Sequence, residues 1–180
     1  MRPSPPLIAL LAAGVLSLAG GASAEVVDSQ AAGFEVKEVV DIDAPAAKVW
    51  EAMGHVGDWW KSEHSFSGDA HNLSLDLKPG GCFCERLPRG GGVTHMTVIY
   101  IRPGETVRLA GALGPLQGTG AQGHMTWALR EVSGHTHLSL TYDVGGYVRG
   151  GLQSWSKPVD DVLGEQMVRL RRYAETGNPD

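Results

Sequence analysis

The sequence predicts an α+β domain: a curved antiparallel sheet of about six to seven strands wrapped around a long C-terminal helix, with short helices after the first strand. Apolar and polar residues alternate along most of the chain, which is typical of strands. Apolar residues recur at helical spacing at 46–53 and again at 159–173. A sheet with one apolar face needs a cover, and only the C-terminal helix is long enough to supply it.

The first strand and the helix after it are separated by a change of period. Apolar residues alternate through 34–42 and then follow helical spacing through 46–53. Pro45 suits the start of this helix because a first-turn N–H group has no intrahelical partner, and Gly54 is the predicted stop. Glu38 falls on the apolar face of the strand, where burial would raise its pKa. A strand end, a bulge or a salt bridge are the alternatives for this residue.

Further strands follow, separated by turns that contain glycine and proline. They are predicted at 72–77, 82–87, 93–102, 106–110, 125–129 and 138–144. The inner face of strand 93–102 stays unassigned because apolar residues lie on both of its faces. The glycine-rich loop 111–123 carries Leu113 and Leu116, either as a mobile lid or as the two anchors of an ordinary turn. The C-terminal helical stripe ends near Gly177.

Residues 1–24 have the layout of a secretory signal peptide. Arg2 precedes an unbroken apolar run from Leu7 to Ala19, and the small residues Ala22-Ser23-Ala24 form a cleavage site. The run is shorter than the roughly 20 apolar residues that span a bilayer. We therefore expect one domain at 25–180, located in the periplasm or secreted, with a retained membrane anchor as the alternative.

The charge balance and the motifs exclude several classes of partner. The chain has 15 Lys and Arg, one of which is Arg2, against 20 Asp and Glu. An acidic balance of this kind argues against a nucleic-acid partner. The sequence contains no G-x-x-x-x-G-K-[ST] loop, so it lacks the phosphate-binding cradle of that type. No cofactor is predicted, and the oligomeric state is left open.

A set of short motifs covers nearly all of residues 25–180. They are Ile42-Asp43-Ala44-Pro45 with Val49-Trp50, Asp58-Trp59-Trp60, the stretches 79–85, 111–117 and 123–127, Thr141-Tyr142, and the stretches 159–163 and 166–170. Together they resemble the SRPBCC superfamily of START-like, helix-grip proteins, which includes polyketide cyclases, lipid-transfer domains and a chaperone-ATPase activator domain. The resemblance implies the helix-grip fold. It implies no particular chemistry, because the superfamily contains many activities and many pure binders.

A curled sheet that grips one helix tends to leave a hollow between them, and such hollows are natural sites for small ligands. Trp59 and Trp60 could line its mouth, or one could be core and the other lie on the surface. Glu85 shares a strand face with Phe83, and a carboxyl group there is expected to have a raised pKa; a strand end, a bulge or a salt bridge are the alternatives. The candidate ligand-binding residues are Trp59, Trp60, Phe83, Glu85, His95, Leu113, Trp127, Tyr142 and Met167. No catalytic residue is assigned and no metal site is predicted.

The two cysteines, Cys82 and Cys84, are one residue apart and share a strand face. We interpret them as two small buried hydrophobic residues in the core. Other possibilities stay open: a disulfide near the upper limit of reach for such a pair, a soft-metal site with His64 or His95, or a redox or ligand contact.

The function these observations favour is an exported small-molecule-binding domain that holds an apolar or aromatic molecule, or a lipid, between sheet and helix. Specificity would come from a few polar groups, with Glu85, His95 and Tyr142 as candidates. One alternative is a cyclase or aldol-type enzyme acting on a similar ligand. The other is a protein-interaction module like the chaperone-activating relatives, against which the predicted export argues.

Overall fold

The computed structural model describes residues 23–180, so the predicted signal segment lies almost wholly outside the described residues. Its strands are β1 Ser23–Gln30, β2 Gly33–Ile42, β3 Leu73–Leu75, β4 Cys82–Arg86, β5 Gly92–Arg102, β6 Thr106–Gly111, β7 Gly120–Val132 and β8 His135–Tyr147. Its helices are α1 Ala46–Gly54, α2 Val56–Trp59 and α3 Gln153–Thr176. The strands form one sheet in the order β1-β2-β8-β7-β6-β5-β4-β3, and neighbouring strands are antiparallel.

The predicted α+β architecture is confirmed, and the strand count is corrected. The sheet has eight strands rather than six to seven, and the short helices follow the second strand rather than the first. The unexpected strand is β1, which lies at the edge of the sheet and is mostly exposed. Because β1 buries little apolar surface, its sequence carries almost no period of two. It is held by its hairpin with β2, across the two-residue turn at Ala31-Ala32.

Helix α3 packs against β1 and β2 and covers one side of the sheet. Its buried apolar side chains join those of the inner strand faces in one core; on the helix they are Leu163, Met167, Leu170 and Ala174. Each buried side chain of leucine size contributes roughly 1.5–3 kcal/mol to folding. The helix ends where the sequence predicts: Gly177 is left-handed, and its N–H donates to the carbonyl of Tyr173 at 2.8 Å. Within 23–180, no helix is both long and apolar enough to cross a bilayer.

The cysteines are not part of the core, and our interpretation of them as buried hydrophobic residues is wrong. Phe83 and Glu85 occupy the buried face of β4, so the period of two turns Cys82 and Cys84 to the opposite, half-buried face. The two cysteines form a disulfide with each other, with their Cα atoms 5.3 Å apart. While this bond is formed, neither sulfur is a thiolate, so the pair offers no thiolate ligand for a metal site with His64 or His95.

Candidate functional site

A cavity of about 450 Å³ lies between the N-terminal half of α3 and the part of the sheet formed by β3, β4 and β5. Two loops complete its wall: residues 60–66, which follow α2, and residues 113–116, between β6 and β7. Most of the lining side chains are aromatic or aliphatic, and they include Trp60, Phe66, Phe83, Trp155 and Val159. The structure therefore leaves open space between the sheet and the helix.

Four of the nine candidate residues line this cavity: Trp60, Phe83, His95 and Leu113. Trp60 packs edge-on against Phe83, with ring centroids 5.6 Å apart, and its indole N–H donates to the carbonyl of His64 at 2.9 Å. Because that donor is already engaged, Trp60 offers the cavity an apolar face rather than a hydrogen bond.

The other candidates lie outside the cavity wall. Trp59 and Trp127 pack against each other in the core with centroids 6.2 Å apart, and the indole N–H of Trp59 donates to the carbonyl of Ala52. Met167 is buried on α3. Trp59, Trp127 and Met167 are not among the residues that line the cavity. Tyr142 and Glu85 do not line it either, but each is hydrogen-bonded to a residue that does.

Tyr142 holds the loop that forms one wall of the cavity. Its hydroxyl accepts a hydrogen bond from the N–H of Leu113 at 3.1 Å and donates to the carbonyl of Gly111 at 3.3 Å. Burial raises the pKa of Tyr142 to about 12, so the hydroxyl keeps its proton. Leu116 is fully buried beneath the same loop. Leu113, which directly precedes the 3₁₀ turn Gly114–Gly118, is therefore held by a hydrogen bond, and Leu116, within that turn, is held by burial.

Glu85 stands behind His95 in a buried hydrogen-bonded pair. Nε2 of His95 lies 3.0 Å from Oε2 of Glu85, and the two side chains are 5% and 0% exposed. The same carboxyl group accepts hydrogen bonds from the backbone N–H groups of Phe66 and Ser67. Three donors thus converge on one carboxyl group in the interior.

A β-bulge brings His95 to the inside of the sheet. Phe83 pairs with Met96 and Cys84 pairs with Thr94, so His95 is the extra residue on β5. Strict alternation would place His95 and Met96 on opposite faces, yet both are buried. The bulge resolves the inner face of this strand, which the sequence leaves unassigned, and it aims His95 at the cavity.

The surroundings of the Glu85–His95 pair favour a carboxylate next to a neutral imidazole. Burial acts to raise the pKa of Glu85, but the hydrogen bonds from Ser67, Phe66 and His95 outweigh it and hold the pKa below its ordinary value. This corrects our expectation of a raised pKa at Glu85. Burial lowers the pKa of His95, and the nearby carboxylate opposes that effect only in part.

Contacts with α3 hold the loop at 60–66 in place. The backbone N–H of Lys61 donates to Oε1 of Gln166 at 2.9 Å, and Nε of Arg169 donates to the carbonyl of Trp59 at 2.8 Å. At the rim, Nε2 of His64 lies 3.1 Å from Oε2 of Glu165. These bonds join the loop to the same helix that supplies the opposite wall.

Several lining residues were not among the candidates predicted from sequence. Phe66 lies in a polar stretch and is 53% exposed, and its ring centroid is 5.8 Å from that of His95. Trp155 lies in the first turns of α3, before the predicted stripe begins. Val159 and Val162 belong to the predicted stripe, but nothing in the sequence separates them from its other members. An isolated aromatic residue in a polar loop is the one sequence signal that could have identified Phe66.

A pair of buried acidic residues, Glu38 and Asp160, lies away from the cavity. Glu38, in the middle of β2, is 2% exposed and lies beside Asp160 of α3. Burial first, and the neighbouring Asp160 second, raise the pKa of Glu38 from its ordinary value of 4.5 to about 8, as the sequence predicts for a carboxyl group on an apolar face. Oε1 of Glu38 and Oδ1 of Asp160 have no hydrogen-bond partner in the described part of the chain. In that same part, no group of three or more His, Cys, Asp or Glu side chains is arranged to hold a metal ion.

Comparison with solved structures identifies the fold. CalU16 from Micromonospora echinospora superposes with a TM-score of 0.58 at 14% identity, over 90% of this chain and 87% of that one. A conserved protein of unknown function from Enterococcus faecalis gives 0.58 at 14% identity, over 83% and 75% of the two chains. The Aha1 dimer from Colwellia psychrerythraea gives 0.53 at 17% identity, over 79% and 97%.

This chain has the helix-grip fold. The expectation drawn from the resemblance is confirmed at that level. No protein-family model matches the chain, and no curated protein sequence does. At identities this low, a structural likeness shows the fold alone, so function has to be argued from the site itself.

Proposed function

We propose that this helix-grip domain binds a small apolar or aromatic molecule in the cavity between α3 and β3–β5. The observation that carries the proposal is the cavity itself, about 450 Å³ in volume and lined mainly by aromatic and aliphatic side chains. Its volume falls in the range of about 300–1,000 Å³ that is usual for small-molecule sites. An empty apolar space of this size costs packing energy, which a bound apolar molecule recovers.

The composition of the wall supports an aromatic ligand over a purely aliphatic one. Trp60 and Phe83 form an edge-to-face pair at one side, and the ring of Phe66 stands at another. Aromatic side chains interact with aromatic ligands through offset and edge-to-face contacts worth about 0.5–1.5 kcal/mol beyond burial alone. Trp155 adds a further aromatic surface from α3.

Two measurements test this function. Native mass spectrometry of the purified protein should reveal a copurifying small molecule, and titration with Nile red should saturate at one dye per chain. Trp60 and Trp155 line the cavity, so bound ligand should also change the tryptophan fluorescence. Absence of saturable binding across a broad set of apolar compounds would refute the proposal.

A variant that fills the cavity makes the test specific to this site. Val159→Trp places an indole on the cavity side of α3 and is expected to abolish dye binding. Val132→Trp is the matched control, because Val132 is 52% exposed at the far end of β7 and is not among the lining residues. Equal binding by both variants would place the dye somewhere other than this cavity.

An enzyme acting on the same ligand, of cyclase or aldol type, is the second candidate. The observation that favours it is the Glu85–His95 pair, in which a buried carboxylate orients an imidazole beside the cavity. Such a pair can supply the base for proton removal next to a carbonyl group. The test is to incubate the protein with a copurified ligand and to compare turnover with that of Glu85→Gln. Unchanged turnover in that variant would eliminate the pair as the catalyst.

We further propose that the protein is exported and that residues 1–24 are removed. The sequence of that segment supports the proposal, as does the pairing of Cys82 with Cys84, because disulfides persist in oxidising compartments. N-terminal sequencing of the native protein should begin at Glu25. Thiol labelling without reductant should leave both cysteines unmodified. A mature protein that begins at Met1 would contradict export by this route.

A further inference from the structure

We infer that the cavity is built to accept one hydrogen-bond donor from its ligand, at Nδ1 of His95, and so selects neutral aromatic compounds that carry a hydroxyl or N–H group. This inference rests on the proposed binding function and deepens it by naming the ligand class. Four structural features support it, each independent of any known ligand.

The first feature is a fixed tautomer. Glu85 accepts hydrogen bonds from the N–H groups of Phe66 and Ser67, and it is fully buried. A carboxylate held this way accepts hydrogen bonds only, so the Nε2 atom of His95 at 3.0 Å must carry the proton that it shares. In a neutral imidazole, protonation at Nε2 leaves a lone pair on Nδ1. Nδ1 is therefore an acceptor.

The second feature is a fixed ring. The imidazole of His95 lies against Phe83, with centroids 5.0 Å apart, and against Phe66 at 5.8 Å. The plane of the imidazole is tilted by 37° to the ring of Phe83 and by 35° to the ring of Phe66. Together with the bond to Glu85, these contacts hold the ring in one orientation.

The third feature is that Nδ1 of His95 is an unused acceptor on a ring that lines the cavity. Nδ1 has no hydrogen-bond partner among the residues that the structure describes. The fully enclosed side-chain polar atoms without a partner, within that same part, are Oε1 of Glu38 and Oδ1 of Asp160. Nδ1 is not one of these fully enclosed atoms, and the ring that carries it lines the cavity.

The fourth feature is the lack of competing polar groups deep in the wall. Among the residues that line the cavity, His95 is the one with a buried polar side chain. Glu63, His64 and Ser65 lie on the loop at the rim, where Glu63 is exposed, His64 contacts Glu165 and the hydroxyl of Ser65 donates to the carbonyl of Ser62. Beyond the rim, a ligand that enters therefore meets mainly apolar side chains and a single buried side-chain acceptor, His95. A carboxylate ligand would bring a second negative charge close to Glu85, which disfavours it.

The experiment compares three probes of similar size that differ in one group: naphthol, methylnaphthalene and methoxynaphthalene, each substituted at the same ring position. Binding is followed by tryptophan fluorescence and by calorimetry. In the wild-type protein, naphthol is expected to bind about tenfold more tightly than either other probe, because only naphthol can donate to Nδ1.

His95→Phe keeps a ring of similar size and removes the acceptor. It is expected to lose about tenfold in naphthol affinity while methylnaphthalene binds within about twofold of its wild-type affinity. That ratio separates a recognition role from a purely structural one, since a distorted cavity would weaken all three probes together. The wild-type comparison stands by itself if the variant fails to fold.

Each remaining outcome is decisive. If all three probes bind the wild-type protein equally, the inference is overturned and the proposed binding function stands. If methoxynaphthalene binds as tightly as naphthol and both bind more tightly than methylnaphthalene, the group in the wall is a donor, and the assigned tautomer is wrong. If no probe and no Nile red binds, both the inference and the proposed function are overturned.

Discussion

Replacing Glu38 by glutamine is expected to stabilise this protein, and to do so increasingly as the pH rises. Glu38 is 2% exposed, and the charged groups that act on it, Asp160, Lys157 and Asp161, all lie on α3. Burial and Asp160 raise its pKa from 4.5 to about 8, against a smaller opposing effect of Lys157. At neutral pH the folded protein therefore keeps this carboxyl group protonated, whereas the unfolded chain ionises it.

The magnitude follows from the difference between the two pKa values. Below the unfolded pKa of 4.5 both states are protonated, and Glu38 makes no pH-dependent difference to stability. As the pH rises toward the folded-state pKa of about 8, the unfolded chain gains free energy by releasing the proton while the folded state does not. At 1.36 kcal/mol per pH unit, the loss of stability is about 3 kcal/mol at pH 7 and roughly 5 kcal/mol above pH 8.

Glutamine removes this loss because it is neutral at every pH, and its amide could donate to the unpaired Oδ1 of Asp160. The assay is denaturant and thermal unfolding of wild type and Glu38→Gln at about pH 4, pH 7 and pH 9. At pH 7 the variant should melt about 6–12 °C higher, given about 2–4 °C per kcal/mol for a chain of this size.

Glu35→Gln is the matched control, since Glu35 lies on the same strand with its side chain on the opposite face. It makes the same chemical change at a half-buried position on the outer face, so no gain that grows with pH is expected. If the stability curves of Glu38→Gln and wild type stay parallel from pH 4 to about pH 9, Glu38 is not held protonated by the fold and the reasoning fails. A variant less stable than wild type at high pH would refute it more strongly.

Two further predictions concern Tyr142. Tyr142→Phe removes the hydroxyl that bonds Leu113, and it should cost about 1 kcal/mol in denaturant unfolding and speed hydrogen exchange at the Leu113 amide; unchanged exchange would show that the loop is held by packing alone. Gly123→Ala would place a Cβ atom 2.5 Å from Cε2 of Tyr142, so we expect the free energy of unfolding to fall by about 1–3 kcal/mol. Gly118→Ala is the control, because a Cβ atom there has nothing within 4 Å, and its stability should be nearly unchanged. Equal stability of the two variants would contradict this packing.

Much of the fold could be predicted because its main elements bury one face. Burial of one face produces the alternation of apolar residues through β2 and β8 and the apolar stripe of α3. Each of these elements lies where the sequence predicts it. β1 could not be predicted on the same basis. It is an exposed edge strand, and its pairing with β2 depends on a hairpin rather than on an apolar face.

The candidate site could be predicted only in part, for a physical reason that His95 illustrates. In a regular strand, His95 and Met96 would face opposite sides, but the extra residue in β5 turns both inward. A bulge is set by the register between two strands, so a single strand's sequence does not reveal it. Likewise, Glu85 has a lowered pKa because the N–H groups of Phe66 and Ser67 reach it from a separate loop.

The sequence by itself determined the kind and order of most elements, the end of α3 at Gly177 and the raised pKa of Glu38, because each of these follows from local period or from burial of one face. Only the tertiary structure decided that Trp60 rather than Trp59 lines the cavity, that Cys82 and Cys84 pair outside the core, and that His95 is hydrogen-bonded to Glu85. These features arise where segments far apart in the chain converge, and periodicity along one segment carries no information about the neighbours it will meet.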